Sequence, residues 1–257
     1  PTAARSSTAK RDRAALGIAE PGGPAHDVSA AVAPCVMTWF GRDTPLTGWI
    51  TRPRDPDLTL GTLKTLARHQ GTRTDLLTEE QPGRIMHEMR FGAEAGLALG
   101  GSSVYYGTAD ATPLFVMLLG EACNWGLAPE DLADLLPHAD AALEWMITLG
   151  DRDGDGFIEY QRATDQGLAN QGWKDSFDGL NFASGALASP PIALCEVQAY
   201  AYGAYMARST IARDSGDLLL SEHWEAKAIA LKQAFNDAFW LPDRGYYAVA
   251  LDRDKHP

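Results

Sequence analysis

Residues 113–125 read P-L-F-V-M-L-L-G-E-A-C-N-W, and this stretch decides the fold class. Apolar side chains fill every position from Leu114 to Leu119, so a helix formed here would be buried on most of its sides. Such a helix needs other elements packed around it. The stretch therefore predicts a helix in the centre of a large core rather than one on the surface.

Helical periodicity recurs on both sides of this stretch. Leucines at positions 58, 60, 63 and 66 predict a short helix that ends near Gly71. Apolar alternation is limited to short pieces such as Tyr246–Leu251. Three further helices are predicted: Pro129 to Leu149, kinked or split at Pro137; Pro191 to Ala212; and one from an N-cap at Ser221 to Phe239.

The chain divides into two parts by composition. Residues 1–30 are rich in Ala, Ser, Gly, Pro and charge without a sustained period, which predicts a linker or a poorly packed leading segment. Residues 31–257 alternate helices with long polar loops rich in glycine and aromatic residues. This alternation is typical of a helical solenoid or toroid that carries its chemistry in the loops.

Net charge and cysteine content indicate which classes of ligand and which cellular setting suit this chain. The 257 residues carry a net charge of −12, which disfavours nucleic acid and anionic membranes and suits a neutral substrate. No run approaches the roughly 18 apolar residues that cross a bilayer. Cys35, Cys123 and Cys195 are far apart and lack metal-ligand spacing. Reduced thiols in a cytoplasmic protein are the expectation, with no cofactor.

The loop at residues 167–176 reads G-L-A-N-Q-G-W-K-D-S and is the most informative about chemistry. Amides and carboxylates bind sugar hydroxyls, while an indole packs on the apolar face of a sugar ring. A carboxyl beside a Trp can also have its pKa raised by desolvation, as a general acid requires. Composition alone fits a turn with a satisfied Asp equally well.

Three other loops share this character: W-F-G-R-D at 39–43, H-E-M-R at 87–90 and Y-Y-G-T-A-D at 105–110. Each one alone fits a solvated loop or a structural salt bridge. Because helix-to-loop passages alternate along the chain, these loops can meet at one end of a helical barrel.

These loops, with G-D-R-D-G-D-G-F-I-E-Y at 150–160 and P-P-I-A-L-C-E-V-Q-A-Y at 190–200, follow the order seen in bacterial amylo-α-1,6-glucosidase or glycogen-debranching-type proteins. The chain resembles that family from Ala31 to Pro257, most specifically at N-Q-G-W-K-D-S. The resemblance implies an all-α fold, an (α/α)6 toroid of the six-hairpin glycosidase type, incomplete in this chain. It also implies an inverting hydrolase of α-glucosidic linkages in an oligosaccharide or α-glucan.

By the same resemblance, Asp175 matches the general acid that protonates the leaving oxygen. Glu196 retains an alternative role, the capping of a neighbouring loop. The side chains that the resemblance places around the sugar are Trp39, Phe40, Arg42, Asp43, Glu88, Arg90, Tyr106, Asp110, Gln171, Trp173, Lys174, Glu196 and Gln198.

The sequence departs from the family pattern in its extent. The family's general base lies in the last helices of the toroid, which are expected beyond Pro257, and the usual N-terminal β-sandwich is expected elsewhere in the same protein. An inverting mechanism needs both carboxyl groups. The isolated chain is therefore expected to be inactive, as the N-terminal two-thirds of the catalytic domain.

Two alternative functions remain open, and one sequence motif resembles a metal site. A trehalase-like or mannosylglycerate-hydrolase-like specificity stays open, as does a non-catalytic helical carbohydrate-binding module. The acidic turn D-x-D-x-D-G (residues 151–156) resembles half of a calcium loop, but its twelfth position holds Arg162 instead of Glu. An Asp-Gly turn without metal is the prediction.

Overall fold

The computed structural model describes residues 38–91, 101–174 and 176–257, together with the backbone of residues 17–18 and 28–29. This part of the chain is mostly helical, with small sheets. The helices are α1 (Asp43–Thr51), α2 (Pro56–Arg68), α3 (Ala111–Asn124), α4 (Pro129–Ile147), α5 (Cys195–Asp214) and α6 (Leu218–Phe239). The strands are β1 (Gly17–Ile18), β2 (Val28–Ser29), β3 (Thr38–Phe40), β4 (Glu88–Arg90), β5 (Val104–Tyr105), β6 (Glu159–Tyr160), β7 (Ile192–Leu194), β8 (Trp240–Leu241), β9 (Tyr246–Tyr247) and β10 (Ala250–Leu251).

Helix α3 lies at the centre of the core, as its apolar sequence predicted. It contacts α1, α2, α4 and α5, and Leu114, Phe115, Val116, Leu118 and Leu119 are all almost completely buried. The helices pack as consecutive pairs, α1 with α2, α3 with α4, and α5 with α6. Because α1 also packs on α3 and α3 on α5, the first members of the pairs form a continuous inner row.

The predicted helix from Pro129 is confirmed as α4, and Pro137 lies inside it as one continuous helix. The predicted first residues of two helices, α5 and α6, are wrong. Helix α6 begins at Leu218, because the side chain of Asp217 accepts a hydrogen bond from Leu220 N at 3.1 Å and acts as the N-cap. Helix α5 begins at Cys195, since the three residues before it form strand β7.

The predicted predominance of helices is confirmed, and small antiparallel sheets accompany them. Strands β3, β4 and β5 form one sheet in that order, with Phe40 opposite Glu88 and Glu88 opposite Tyr105. Strands β6, β7 and β10 form another, with Glu159 opposite Ala193. Strand pairs β1–β2 and β8–β9 complete the set.

The two larger sheets lie where the chain enters the inner helices. Strand β3 precedes α1, β5 precedes α3, and β7 runs directly into α5. W-F-G-R-D is therefore a strand followed by a helix start, with Trp39 and Phe40 in β3 and Asp43 opening α1. The predicted leading segment, residues 1–30, lies outside the described residues apart from the backbone of 17–18 and 28–29. Among the helices of the described ranges, none has the length and apolarity to cross a membrane.

Candidate functional site

The N-terminal ends of α1, α3 and α5 meet at one place. Arg42, just before α1, donates from Nη1 to the Oδ2 of Asp110, just before α3, at 3.1 Å. Tyr200, in the second turn of α5, lies close enough to Arg42, Asp110 and Glu196 for each charge to act on its phenol. Three segments that are far apart in sequence thus supply one cluster of polar groups.

The N-Q-G-W segment joins this cluster through its backbone. Ala109 N donates to Gln171 O at 2.8 Å, which ties the segment to the start of α3. Gly172 packs against the start of α5, where an added Cβ would lie 2.3 Å from Leu194 Cδ1 and 3.8 Å from Glu196 Oε1. A side chain at position 172 would require Leu194 to shift, so the glycine permits this close approach.

A narrow crevice opens between these segments, and Trp173 forms part of its rim. The indole of Trp173 is 59% exposed, and the Nζ of Lys174 lies 5.3 Å from its ring centroid. An exposed indole beside carboxylates is the arrangement that sugar-binding sites use. The crevice is lined by Tyr160, Gly172, Trp173, Lys174, Leu180, Leu194, Glu196 and Val249.

Asp175, the predicted general acid, lies outside the described residues. Both of its neighbours in sequence are described. Lys174 lines the crevice with Glu196, and Ser176 accepts a hydrogen bond through its carbonyl oxygen from the side chain of Asn170.

Glu196 is a half-buried carboxylate in the first turn of α5. Its Oε2 accepts a weak hydrogen bond from Cys195 Sγ at 3.4 Å. Burial, followed by this carboxylate, raises the pKa of Cys195 to about 11, so the thiol is protonated at neutral pH. Cys195 is therefore unsuited to act as a nucleophile, because the thiolate is the reactive form.

The other carboxylates of the cluster differ in environment. Burial raises the pKa of Asp110, although Arg42 and a hydrogen bond from Thr108 oppose the shift. Asp43 has a half-exposed side chain and lies 3.9 Å from the Nε of Arg42. Arg42 thus bridges a buried and an open carboxylate, and the open one is accessible to a ligand.

Glu88, Arg90 and Phe40 lie together on the sheet beside this cluster. The Nη2 of Arg90 donates to Glu88 Oε2 at 3.2 Å, and the side chain of Glu88 is buried. Phe40, opposite Glu88 in the sheet, is half-buried. Of this ion pair, the Arg90 side chain is partly exposed and the Glu88 side chain is not.

Six predicted sugar contacts lie inside the protein instead, and two of them are Asp110 and Glu88, whose buried carboxylates pair with Arg42 and Arg90. Trp39 is 1% exposed and packs edge-on against Phe91. The hydroxyl of Tyr106 donates to a backbone carbonyl, and the amide of Gln198 is bonded to the backbone of Ile158 and Leu194. The side chain of Gln171 is likewise buried, bonded to Arg84 and Glu79. Because their polar groups serve internal partners or are enclosed, these positions correct the sequence prediction that they face the ligand.

Two tyrosines beside Glu196 were not predicted from the sequence. Tyr200 follows Glu196 by four residues, the spacing that places side chains on one helix face, so this signal was available. Tyr160 lines the crevice and donates to Asn170 Oδ1 at 2.9 Å. Glu196 raises the pKa of both phenols in addition to the larger effect of burial, so both are neutral donors at physiological pH.

The acidic turn contacts a lysine. The Nζ of Lys255 lies 3.0 Å from Asp153 Oδ2 and 2.7 Å from Asp155 Oδ2, and it also contacts Glu159. The carboxylate of Asp151 accepts from the backbone N–H groups of Gly154 and Gly156. Although the three aspartates are close enough to share an ion, an ammonium group already supplies positive charge to two of them.

No protein-family model matches this sequence, and no curated protein matches it.

Proposed function

We propose that this chain is part of a glycoside hydrolase that cleaves α-glucosidic bonds with inversion of configuration. The observation that carries the proposal is the meeting of the W-F-G-R-D, Y-Y-G-T-A-D, N-Q-G-W and C-E-V-Q segments at one end of the inner helices. The exposed indole of Trp173 and the carboxylate of Glu196 line one crevice, and the Arg42–Asp110 ion pair lies close enough to Tyr200, one helical turn from Glu196, to act on its phenol. This combination suits a neutral, hydroxyl-rich ligand. Resemblance to debranching-type enzymes supports the choice of α-glucosides.

The inner row of α1, α3 and α5, each paired with its following helix, supports an (α/α)6 toroid as the complete architecture. In such a fold the loops at one end of the inner helices surround the substrate. The described part provides three inner helices with their site-forming ends together. Chemistry in connecting segments held by a rigid scaffold follows the general pattern of enzymes.

In the proposed mechanism, Asp175 donates a proton to the oxygen of the scissile bond as that bond breaks. A second carboxylate removes a proton from water, which attacks the anomeric carbon from the opposite face. Asp43 and Glu196 are the accessible carboxylates that would accept hydrogen bonds from sugar hydroxyls, while Trp173 would pack on the ring. Arg42 would hold Asp43 in place.

Asp175→Asn in the protein that contains this chain tests the proposal, with Asp178→Asn as the control. Both substitutions change an aspartate in one loop, and Asp178 is exposed. Loss of the acid should lower kcat on isomaltose by roughly 10²–10⁴-fold, with binding retained, because general acid catalysis contributes about that much. The control should remain near the wild-type rate.

Proton NMR of the first anomer released tests inversion in the same reaction. Near-normal turnover by Asp175→Asn would show that the acid assignment is wrong. Cleavage of trehalose or a mannosyl glycoside instead of isomaltose would replace the α-glucan specificity. Failure of all these sugars to bind or react would overturn the proposed function.

A further inference from the structure

Glu79 occupies a position that is unfavourable in two respects. Its side chain is buried, with 4% of the residue exposed, although a carboxylate loses hydration when it leaves water. Its backbone φ is 57°, in the left-handed region that non-glycine residues rarely adopt. A residue keeps such a conformation only where contacts with the surrounding structure compensate for its cost.

The carboxylate of Glu79 binds both ends of one loop segment. Its Oε1 accepts from the backbone N–H of Ala163 at 3.2 Å, and its Oε2 accepts from the Nε2 of Gln171 at 2.6 Å. Oε1 also accepts from the hydroxyl of Tyr105 at 3.1 Å. One side chain thus fixes residues 163 and 171, and only Gly172 separates Gln171 from Trp173 in the chain.

Neighbouring groups complete this anchor. The hydroxyl of Tyr105 accepts from Leu168 N at 2.9 Å, in the middle of the same segment. Gly167 approaches so closely that an added Cβ would lie 2.1 Å from Glu79 Oε1. Buried Arg84 donates from Nη2 to Gln171 Oε1 at 2.9 Å, and its Nη1 lies 3.8 Å from Glu79 Oε2. Every polar atom of the Gln171 amide is therefore held by a buried charge.

We infer that Glu79 is a positioning residue that holds residues 163–171 in place and so fixes the segment 172–174 at the starts of α3 and α5. The contacts stand independently of any reaction. The consequence for catalysis rests on the proposed function, because that function assigns the general acid to the residue that follows the fixed segment in sequence.

Glu80 provides a matched control in the next position. It is also buried, but its Oε1 accepts from the backbone N–H groups of Thr72 and Arg73, and its Oε2 from the side chain of Arg73. Its contacts are thus within its own segment rather than with residues 163–171. Glu79→Gln and Glu80→Gln make the same chemical change with different expected locations of effect.

Amide hydrogen exchange of the protein without ligand tests the inference. Glu79→Gln replaces one of the two acceptor oxygens with a donor N–H₂, so in either orientation of the new amide two donors meet, at Gln171 Nε2 or at Ala163 N, and one hydrogen bond to residues 163–171 is lost. Exchange across residues 163–171 should accelerate by about tenfold or more, while exchange in α4 and α6 stays unchanged. Glu80→Gln should accelerate exchange at residues 72–73 and leave residues 163–171 as in wild type.

The double variant Glu79→Gln/Gln171→Glu exchanges the amide and the carboxylate across the same contact. The amide introduced at position 79 is then the donor, and the new carboxylate at position 171 still faces Arg84. Exchange of residues 163–171 should return to within about threefold of wild type. A residue with only a general stabilising role would not show this recovery.

The inference is overturned if exchange of residues 163–171 is unchanged in Glu79→Gln, if it rises equally in all helices, or if the double variant is no better than the single. Should Glu79→Gln fail to fold, Tyr105→Phe removes the hydroxyl between Glu79 and Leu168, and an unaltered Leu168 amide would then overturn the inference. On an α-glucoside that the wild type cleaves, Glu79→Gln should lower kcat more than it raises KM. If the wild type cleaves none, the proposed function fails while the exchange result still decides this inference.

Discussion

Replacement of His87 by Phe should remove part of the acid sensitivity of the fold. His87 is almost fully buried beside β4, with its ring edge-on to Phe40 and Tyr105. Its Nδ1 has no hydrogen-bond partner among the described residues. Burial, followed by the charges of three nearby arginines (Arg42, Arg84 and Arg90), lowers its pKa from 6.5 to about 3.

The sign of the effect follows from proton uptake. Between about pH 3 and 6.5 the unfolded chain binds a proton at His87 and the folded chain does not. The contribution to stability is therefore present above pH 6.5 and is lost as the pH falls toward 3. From pH 7 to pH 5 the loss is about 2 kcal/mol, which corresponds to roughly 4–8 °C in Tm for a chain of this size.

Urea unfolding at pH 7 and pH 5 measures this difference for wild type, His87→Phe and the control His223→Phe. His223 lies exposed on α6, so its loss should leave the pH dependence unchanged. Phe at position 87 keeps an aromatic ring, and any cost of its shape is the same at both pH values. The variant should lose about 2 kcal/mol less than wild type on acidification. Equal losses in the two proteins would refute the assignment of this acid sensitivity to His87.

Three further perturbations test the acidic turn and the packing around the site. Lys255→Met should lower the free energy of unfolding by about 1–3 kcal/mol, because it leaves the buried Glu159 carboxylate without its cation. The control Lys232→Met, at an exposed position, should have no measurable effect. Equal urea midpoints for the two variants would contradict this prediction. Calcium should leave the wild-type Tm unchanged, because the Lys255 ammonium already contacts the acidic turn. Gly41→Ala should lower the free energy of unfolding, measured in urea, by about 2 kcal/mol or more, because the new Cβ would lie 1.8 Å from Met86 O. A loss below about 0.5 kcal/mol would show that the backbone can relax at this contact.

Local patterns in the sequence predicted five of the six described helices, whereas α1 (Asp43–Thr51) was missed because W-F-G-R-D was interpreted as a loop. The apolar run at Leu114–Leu119 indicated a central buried helix, and α3 has that position. Pro129 marked a helix start because its fixed φ suits the first turn. The start of α6 was misplaced because Asp217 and Ser221 are both good N-caps, and the sequence does not say which side chain reaches a backbone N–H.

The candidate site was only partly visible in the sequence. Arg42 and Asp110 were both chosen from loops with ligand-binding character, and their 3.1 Å contact joins residues 68 positions apart. Gln198 was chosen on the same grounds, yet it bonds to the backbone of Ile158. Residue type alone cannot separate these outcomes, because an amide or carboxylate serves a ligand or the fold according to what surrounds it.

The sequence by itself determined the predominance of helices, the central position of residues 113–125 and the set of loops that carry polar and aromatic side chains. Only the tertiary structure decided which of those side chains reach the crevice, and it alone brought Glu79 to both ends of the segment 163–171. The physical reason is the distance along the chain over which each effect acts. Periodicity and capping act within a few residues, whereas the environment of a buried carboxylate depends on chain segments more than 80 positions away.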